Sequence, residues 1–446
     1  MNKNKKILIA VIMAIILVVV GTTMTLTLNN KKEPIKETPT KPVQTVDDGD
    51  LGIGYDVDLN VKLNNSFNLN IIKLANRDSF ASYLISPYSI EAAFSMLKEG
   101  ANNNTLKEIN NAIPNRQMNT FEAKNRISIS NGVFIKDKYK DDVKATFVDN
   151  VKTKYNAEVI YDEFKKPDVI NNWVKEKTFG LIDKVVENMD EDFVMGLVNT
   201  VAIDVEWARA FECESTTSEK FTLANNETKD VEMMRDSSRY GNYIKTDTEE
   251  GFFLDYRTYN KDGEDATYGE GTQLEFIAIK PTKDNLKTYI NYLDDQKLNK
   301  LLNEPQELKS NQVLIYNLPR FSYNYQYKKV KDNIQELGIK EVFDLDNADL
   351  SNIISKDKYQ LYVSEVIHKT NIKVAEKGTK AAAATYIGIN ETSSAEEEPE
   401  EIEYINIKLD KPFLYIIREK STKEMLFFGT VYNPNEWKGS TCEGEK

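Results

Sequence analysis

The chain of 446 residues, 40% hydrophobic, exceeds one typical domain and can bury a large core. A net charge of −13 argues against a nucleic-acid partner, because phosphate binding needs basic patches that release counterions. One histidine and two cysteines argue against a protein-built zinc site, which takes three or four His, Cys or acidic ligands.

At the N-terminus, Lys3, Lys5 and Lys6 precede an apolar run over 7–28, "ILIAVIMAIILVVVGTTMTLTL". As a helix it would reach about 33 Å at ~1.5 Å per residue, enough to cross a bilayer. The basic flank keeps the N-terminus in the cytoplasm and the rest outside. A cleaved signal peptide is the rival, though no A-x-A site follows; a core helix fits poorly at the extreme terminus. Residues 1–28 are therefore read as a transmembrane anchor or signal segment. Residues 29–54, opening "NNKKEPIKETPTKPVQTVDDGD", lack periodicity and form a flexible stalk. A folded domain over 55–436 and a short tail over 437–446 complete the chain. The "GIG" at 52–54 lacks the strand and helix context of a phosphate loop and reads as a turn.

Within the domain, helices come early and strands late. "SPYSIEAAFSMLKEGANNNTLKEI" opens with a Ser-Pro start signal; Ile90, Ala93, Phe94 and Leu97 follow at helical spacing, and Gly100 closes the helix. "VINNWVKEKTFGLIDKVV" predicts a second amphipathic helix ending near Gly180. "LEFIAIKP", "QLYVSEVIHKTNIKVAEKG" and "EMLFFGTVYNP" predict strands rich in β-branched and aromatic residues. Helices and long antiparallel strands in one unit indicate a single α+β domain.

His368 is the only histidine, so any Ser-His-Asp or Cys-His site must use it, and no G-x-S-x-G elbow accompanies it. Strand alternation would place Tyr362, Ser364, Val366 and His368 on one face, the setting of a structural histidine. Enzyme activity is not expected.

One stretch fits no ordinary element. In "AEKGTKAAAATYIGINETSSAEEEPEEIEY", over 375–404, small residues precede six glutamates between Glu396 and Glu403. With this stretch in place the chain resembles the serpins, protease inhibitors that work by conformational change. The resemblance spans about residues 60–434. It rests on "LISPYSIEAAFSMLKEGANNNTLKEI", "INNWVKEKTFGLI", "LVNTVAIDVEWARAF", "VEMM", "LPRFSYNY", "LGIKEVFD", "VIHKTNIKVAEKGTKAAAAT", "DKPFLYIIR" and "FFGTVYNP", in family order. It implies a serpin fold over 55–436, with about three β-sheets, a helical N-terminal part and an exposed reactive-centre loop. The resemblance further implies that a target serine protease cuts that loop and is held as a covalent acyl complex while the loop enters the main sheet, a mechanism of strand addition.

On a strand, Thr379, Ala381, Ala383 and Thr385 share one face and Lys380, Ala382, Ala384 and Tyr386 the other, while Gly378 permits the backbone freedom of a hinge. The resemblance assigns Gly378, Thr379, Ala381, Ala382, Ala383, Ala384 and Thr385 to the loop hinge. It assigns Trp207, Arg320 and Glu376 to the breach, where the loop enters, and Ser89, Asn199 and His368 to the shutter, a polar cluster under the strands that part. An Arg320–Glu376 ion pair is expected, either buried or solvated. The loop exceeds the family's usual length by about nine residues. Counting forward from Gly378 puts the scissile bond at Thr392-Ser393; counting back from Pro412 puts it near Glu401, with Ser394 and Ala395 as intermediate registers.

No lysine or arginine occurs over 381–407, which favours elastase-like or subtilisin-like targets over trypsin-like ones. A non-inhibitory serpin and a cell-surface binding protein are the alternatives. The chain is expected to be a monomer without metal or cofactor. It would lie outside the cell, held by the N-terminal anchor or secreted if that segment is cleaved. Cys213 and Cys442 either pair or remain free thiols.

Overall fold

Residues 8–15, 61–64, 66–79, 81–189, 193–267, 269–379 and 401–438 are described by the structure, a computed structural model. Its helices start where polar caps are available. Ser66 accepts from the Leu69 N–H at 3.3 Å to open Phe67–Asp78. Ser86 accepts from the Ser89 N–H at 3.1 Å to open Pro87–Gly100, with proline in the first turn where its missing N–H costs nothing. Ile90, Ala93, Phe94 and Leu97 are fully buried, because this helix lies between two sheets, against Met195–Ile203 on one side and Met425–Val431 on the other. Its last residue is glycine for a steric reason: a Cβ on Gly100 would lie 2.2 Å from Ile353 Cγ1.

The main sheet runs in the order Gln360–Ile367, Leu8–Ile15, Met195–Ile203, Ile127–Lys136, Ala157–Asp162. Met195–Ile203 pairs antiparallel with Ile127–Lys136 over nine residues and is buried throughout. After one-residue breaks at Asp204 and His368 the chain continues as Val205–Glu206 and Lys369–Ala375, which form a second ladder with Gly378–Thr379 between them and Phe321–Gln326 outside. The two ladders are one sheet in chain terms. The helix Asp168–Lys177 rides on it through a small separate core, with Trp173 edge-on to Phe134 at 5.4 Å. That helix stops before Gly180, because Phe179 and Gly180 take positive φ of 55° and 75°.

A seven-stranded sheet backs this layer. Thr272–Pro281 and Phe413–Glu419 form its buried middle, the near-continuous apolar runs expected of strands covered on both faces. A four-stranded sheet, Glu403–Lys408, Gln312–Pro319, Thr228–Ser238 and Thr217–Thr222, completes the α+β fold.

Leu8–Ile15, part of the apolar run over 7–28, is a strand here, parallel to both Gln360–Ile367 and Met195–Ile203. A short apolar run fits a buried parallel strand as well as a helix, and Ile9, Val11, Ile12 and Ile15 are β-branched. Among the described residues no helix is long and apolar enough to cross a membrane. One sequence expectation is corrected: the alternation through His368 fails, because the register slips between Val363 and Val366, so both are buried while Tyr362 and Ser364 are less so. A bulge moves the histidine off the face of Tyr362 and Ser364.

Cys213 is disulfide-bonded, and Cys442 is the only other cysteine in the chain. Cys442 itself lies outside the described residues, as do Ala381, Ala382, Ala383, Ala384, Thr385, Thr392 and Ser393.

Gly100→Val is expected to force Ile353 or the helix to shift, destabilising the protein by roughly 1–3 kcal/mol. A lower thermal unfolding midpoint in the purified variant is the expected result, and an unchanged midpoint would contradict the packing described.

Candidate functional site

Thr379 and Gly378 sit inside the sheet. Gly378 faces Glu206 on one side and Ala375 on the other; Thr379 faces Val205 and Val374, both pairings antiparallel. The approach is so close that a Cβ on Gly378 would lie 2.1 Å from the Val205 carbonyl oxygen. Only glycine fits there. The Thr379 hydroxyl, 2% exposed as a residue, shares a 2.6 Å hydrogen bond with Tyr256 Oη. Burial pushes the Tyr256 phenol well above its ordinary pKa, so it stays a neutral partner.

The three breach residues meet around this entry. Tyr256 stacks on Trp207 at 4.4 Å with an 11° tilt, and Phe276 meets the indole edge-on at 5.5 Å. Trp207 donates from its backbone to Lys377 O at 2.9 Å and from Nε1 to Ala375 O at 2.9 Å. Arg320 Nε donates to both Glu376 carboxylate oxygens at 2.8 Å, and Nη2 reaches Oε1 as well. Their side chains are only 6% and 7% exposed, so the pair is buried rather than solvated. Further bonds offset the cost of burying these charges: Thr216 Oγ1 donates to Glu376 Oε1 at 2.5 Å, and Glu232 Oε1 lies 3.4 Å from Arg320 Nη1.

The shutter residues also come together. Ser89 Oγ donates to Asn199 Oδ1, and Asn199 Nδ2 donates to Asn131 Oδ1 at 2.7 Å. Asn131 Nδ2 then donates to Tyr155 O at 2.6 Å. His368 joins through the cap of the Pro87–Gly100 helix: its Nε2 accepts from the Ser86 N–H at 3.1 Å. Nε2 is thus the acceptor and Nδ1 carries the proton, buried without a hydrogen-bond partner among the described residues. Burial lowers the His368 pKa to about 3, so the ring is neutral at every ordinary pH.

Between the two ladders lies a small cavity of about 20 Å³, lined by Val201, Ala202 and Ile203 on one strand, Asn371, Ile372 and Lys373 on the other, and Thr379. It marks the slot between Thr379 and Ile15, where neither inserted segment pairs. Sequence reading did not pick out Tyr256, Thr216 or Asn131, and took Ser86 only as a helix start. Tyr256 lies 123 residues from Thr379 in the chain, and no local spacing announces a contact of that kind.

Three comparisons bear on this geometry. The family described as "Serpin (serine protease inhibitor)" matches residues 62–434. An uncharacterized serpin-like protein of Methanosarcina mazei is 28% identical over 87% of this chain and 89% of its own length. The alpha-1-antiproteinase of Ovis aries is 28% identical over 82% of this chain and 85% of its own. The thermophilic serpin tengpin in its native state superposes with a TM-score of 0.66 at 30% identity, covering 83% of this chain and 93% of that one. Human thyroxine-binding globulin complexed with thyroxine, at 24% identity and TM-score 0.66, is a likeness of fold alone.

The buried histidine has a pH consequence. Its folded-state pKa of about 3 lies below the ordinary 6.5, so between these values the unfolded chain holds a proton that the folded chain rejects. The stability contribution is therefore fully present above pH 6.5 and lost as pH falls toward 3, up to about 5 kcal/mol. Unfolding midpoints measured from pH 7 to 4.5 are expected to fall more steeply in the wild type than in His368→Gln. Parallel profiles would remove His368 from the acid response.

Proposed function

The chain belongs to the serpin family, and on that premise we propose that it is an irreversible suicide inhibitor of elastase-like or subtilisin-like serine proteases. One observation carries the proposal: Gly378–Thr379 is already laddered between Val205–Glu206 and Lys369–Ala375 at the mouth of a slot. Each further loop residue would meet one residue earlier on both neighbouring strands. Ala381 then falls between Ile203 and Ile372, Ala383 between Val201 and Thr370, and Thr385 between Asn199 and His368. Small side chains suit that narrow passage, and a hydroxyl arrives at the polar cluster.

In this reading the protease serine attacks the carbonyl carbon of Thr392, an ester to Thr392 forms, and the Ser393 amine leaves. Insertion of roughly fourteen residues, about 45 Å at ~3.3 Å each, carries the acylated protease along before water can release it. No residue of this chain performs the chemistry, so it acts as a consumed partner and not as an enzyme. The structure supports the forward loop count. Glu403 already donates its N–H to Asn311 O at 2.9 Å, which puts the Glu401–Ile402 bond at the edge of a formed ladder. A protease cleft needs several extended residues on both sides of the cut, and the ladder that begins at Glu403 holds those on the leaving side of a Glu401–Ile402 cut.

Insertion as far as Thr385 meets the Leu8–Ile15 strand, which covers Met195 to Asn199 on one side and Gln360 to Ile367 on the other. That segment must leave the sheet for the loop to finish. The same residues cannot sit in the sheet and in a bilayer, so anchoring through 7–28, or cleavage of that segment before secretion, would clear the slot. We place the monomeric inhibitor outside the cell on this basis. A non-inhibitory binding role is the second reading, since thyroxine-binding globulin shares the fold.

Mixing residues 29–446 with subtilisin, pancreatic elastase and trypsin is expected to yield SDS-stable adducts with the first two and little with trypsin. The fragment released by subtilisin or elastase should begin at Ser393; a start at Ile402 would move the cut to Glu401. Thr379→Arg places an unpaired charge in the sheet at a cost of several kcal/mol, so that variant should be cleaved without trapping. Adducts at wild-type stoichiometry would refute the hinge assignment.

The full chain is expected to trap more slowly than residues 29–446 while Leu8–Ile15 holds the slot. Equal association rates for the two would show that the segment imposes no barrier.

A further inference from the structure

A cavity of about 320 Å³ opens at one end of the seven-stranded sheet, where five segments of the chain meet. Its wall is made by the turn 222–226, the 281–287 connection, Lys411–Pro412, Tyr432 and Ser79. That volume falls at the lower end of the roughly 300–1,000 Å³ typical of small-molecule pockets. The wall is held in place by its own bonds. The Thr222 N–H donates to Asp410 O at 2.8 Å and the Thr282 N–H to Thr248 O at 3.0 Å. Lys280 Nζ donates to Asp410 Oδ1 at 2.7 Å, which fixes the approach to Lys411. The chain as a whole carries a charge of −13, yet the described wall residues include three lysines and a single carboxylate, Asp284. Lys287 is 5% exposed, and its Nζ donates to Asn76 O at 2.6 Å, Arg77 O at 3.1 Å and Ser79 O at 2.7 Å. Burial lowers its pKa to about 8, so it remains largely charged at pH 7. Lys283 and Lys411 are exposed and form no ion pair among the described residues.

We propose that this cavity binds a small amphiphilic anion, a carboxylate or sulfonate carried on a compact apolar body. The body lies against Leu223, Pro281, Pro412 and Tyr432, and the acid group faces the ammonium groups of Lys283 and Lys411. Lys287 has committed its donors to backbone carbonyls, so it contributes the field of a fixed charge and no direct bond. Lys411–Pro412 joins Glu403–Lys408 to Phe413–Glu419, and the 222–226 turn joins Thr217–Thr222 to Thr228–Ser238. An occupant therefore braces the four-stranded sheet against the seven-stranded one. No wall residue belongs to the hinge, breach or shutter, so the site is independent of the inhibitory reading.

The test titrates the purified full chain with naphthalene-2-carboxylate and with its neutral isostere, naphthalene-2-carboxamide, in a calorimeter. The carboxylate is expected to bind with a Kd on the order of 0.1 mM, and the carboxamide roughly tenfold more weakly. Two variants locate the site. Lys283→Ala with Lys411→Ala removes two exposed charges and should weaken carboxylate binding roughly five- to tenfold without moving the unfolding midpoint. Ala224→Trp fills the cavity with an indole and should abolish binding of both probes. Amide hydrogen exchange should slow on carboxylate binding in peptides covering 222–226 and 281–287, and stay unchanged in Met195–Ile203. No heat from the carboxylate at millimolar concentration overturns the proposal. Equal affinity for the two probes removes the anion from it, and undiminished binding in both variants places the probe elsewhere; either result refutes the site as described.

Discussion

Everything in this molecule depends on a pair of strands that do not fully pair with each other. Met195–Ile203 with Val205–Glu206 and Gln360–Ile367 with Lys369–Ala375 lie one strand apart, and a strand edge is a row of donors and acceptors that must be matched. Gly378–Thr379 matches them at one end and Leu8–Ile15 at the other. The cavity between is too small for an added strand without movement. A sheet that can part by one strand is a device whose state depends on which segment fills it.

The chemistry below the slot is suited to reversible closure. An all-apolar floor would seal the two strands by packing alone. Here Ser89, Asn199 and Asn131 form a chain of directed bonds, and His368 receives one bond while its Nδ1 finds none among the described residues. Such a network is strong when complete and costly when broken, so its members act together. The breach follows the same logic with charges. Arg320 and Glu376 are too buried to be indifferent to one another, so displacing the residues around Glu376 exposes a cost that a surface pair would never carry.

Much of this was legible from residues alone, and the failures have definite causes. Ser86 and Pro87 announced their helix because capping is local. The apolar strands announced themselves by composition. The face of His368 was misread because a bulge between Val363 and Val366 cancels the period-two rule, and a bulge leaves no mark in the sequence. The run over 7–28 admits more than one reading, because a continuous apolar stretch is compatible with a helix in lipid and with a strand such as Leu8–Ile15. Arg320 and Glu376 were expected to meet only by family resemblance. That Thr216 and Tyr256 complete the site is a matter of tertiary approach, with partners 160 and 123 residues away.

The two segments that enter the slot are not equal competitors. Gly378–Thr379 follows the Lys369–Ala375 strand after a two-residue turn, so its antiparallel return closes almost no loop. Leu8–Ile15 enters parallel, from a chain that must span the whole of 16–60 before reaching described structure. Loop closure costs more entropy as length grows, and parallel pairing is slightly weaker per residue. Side-chain size works the other way at first, since four alanines bury less apolar surface than β-branched residues do. The loop therefore gains its advantage from connectivity, and Gly378, the one residue that fits against Val205 O, is where that connectivity is made. In the proposed mechanism an intact loop tethered at both ends could not use the advantage fully, and one severed at Thr392 could.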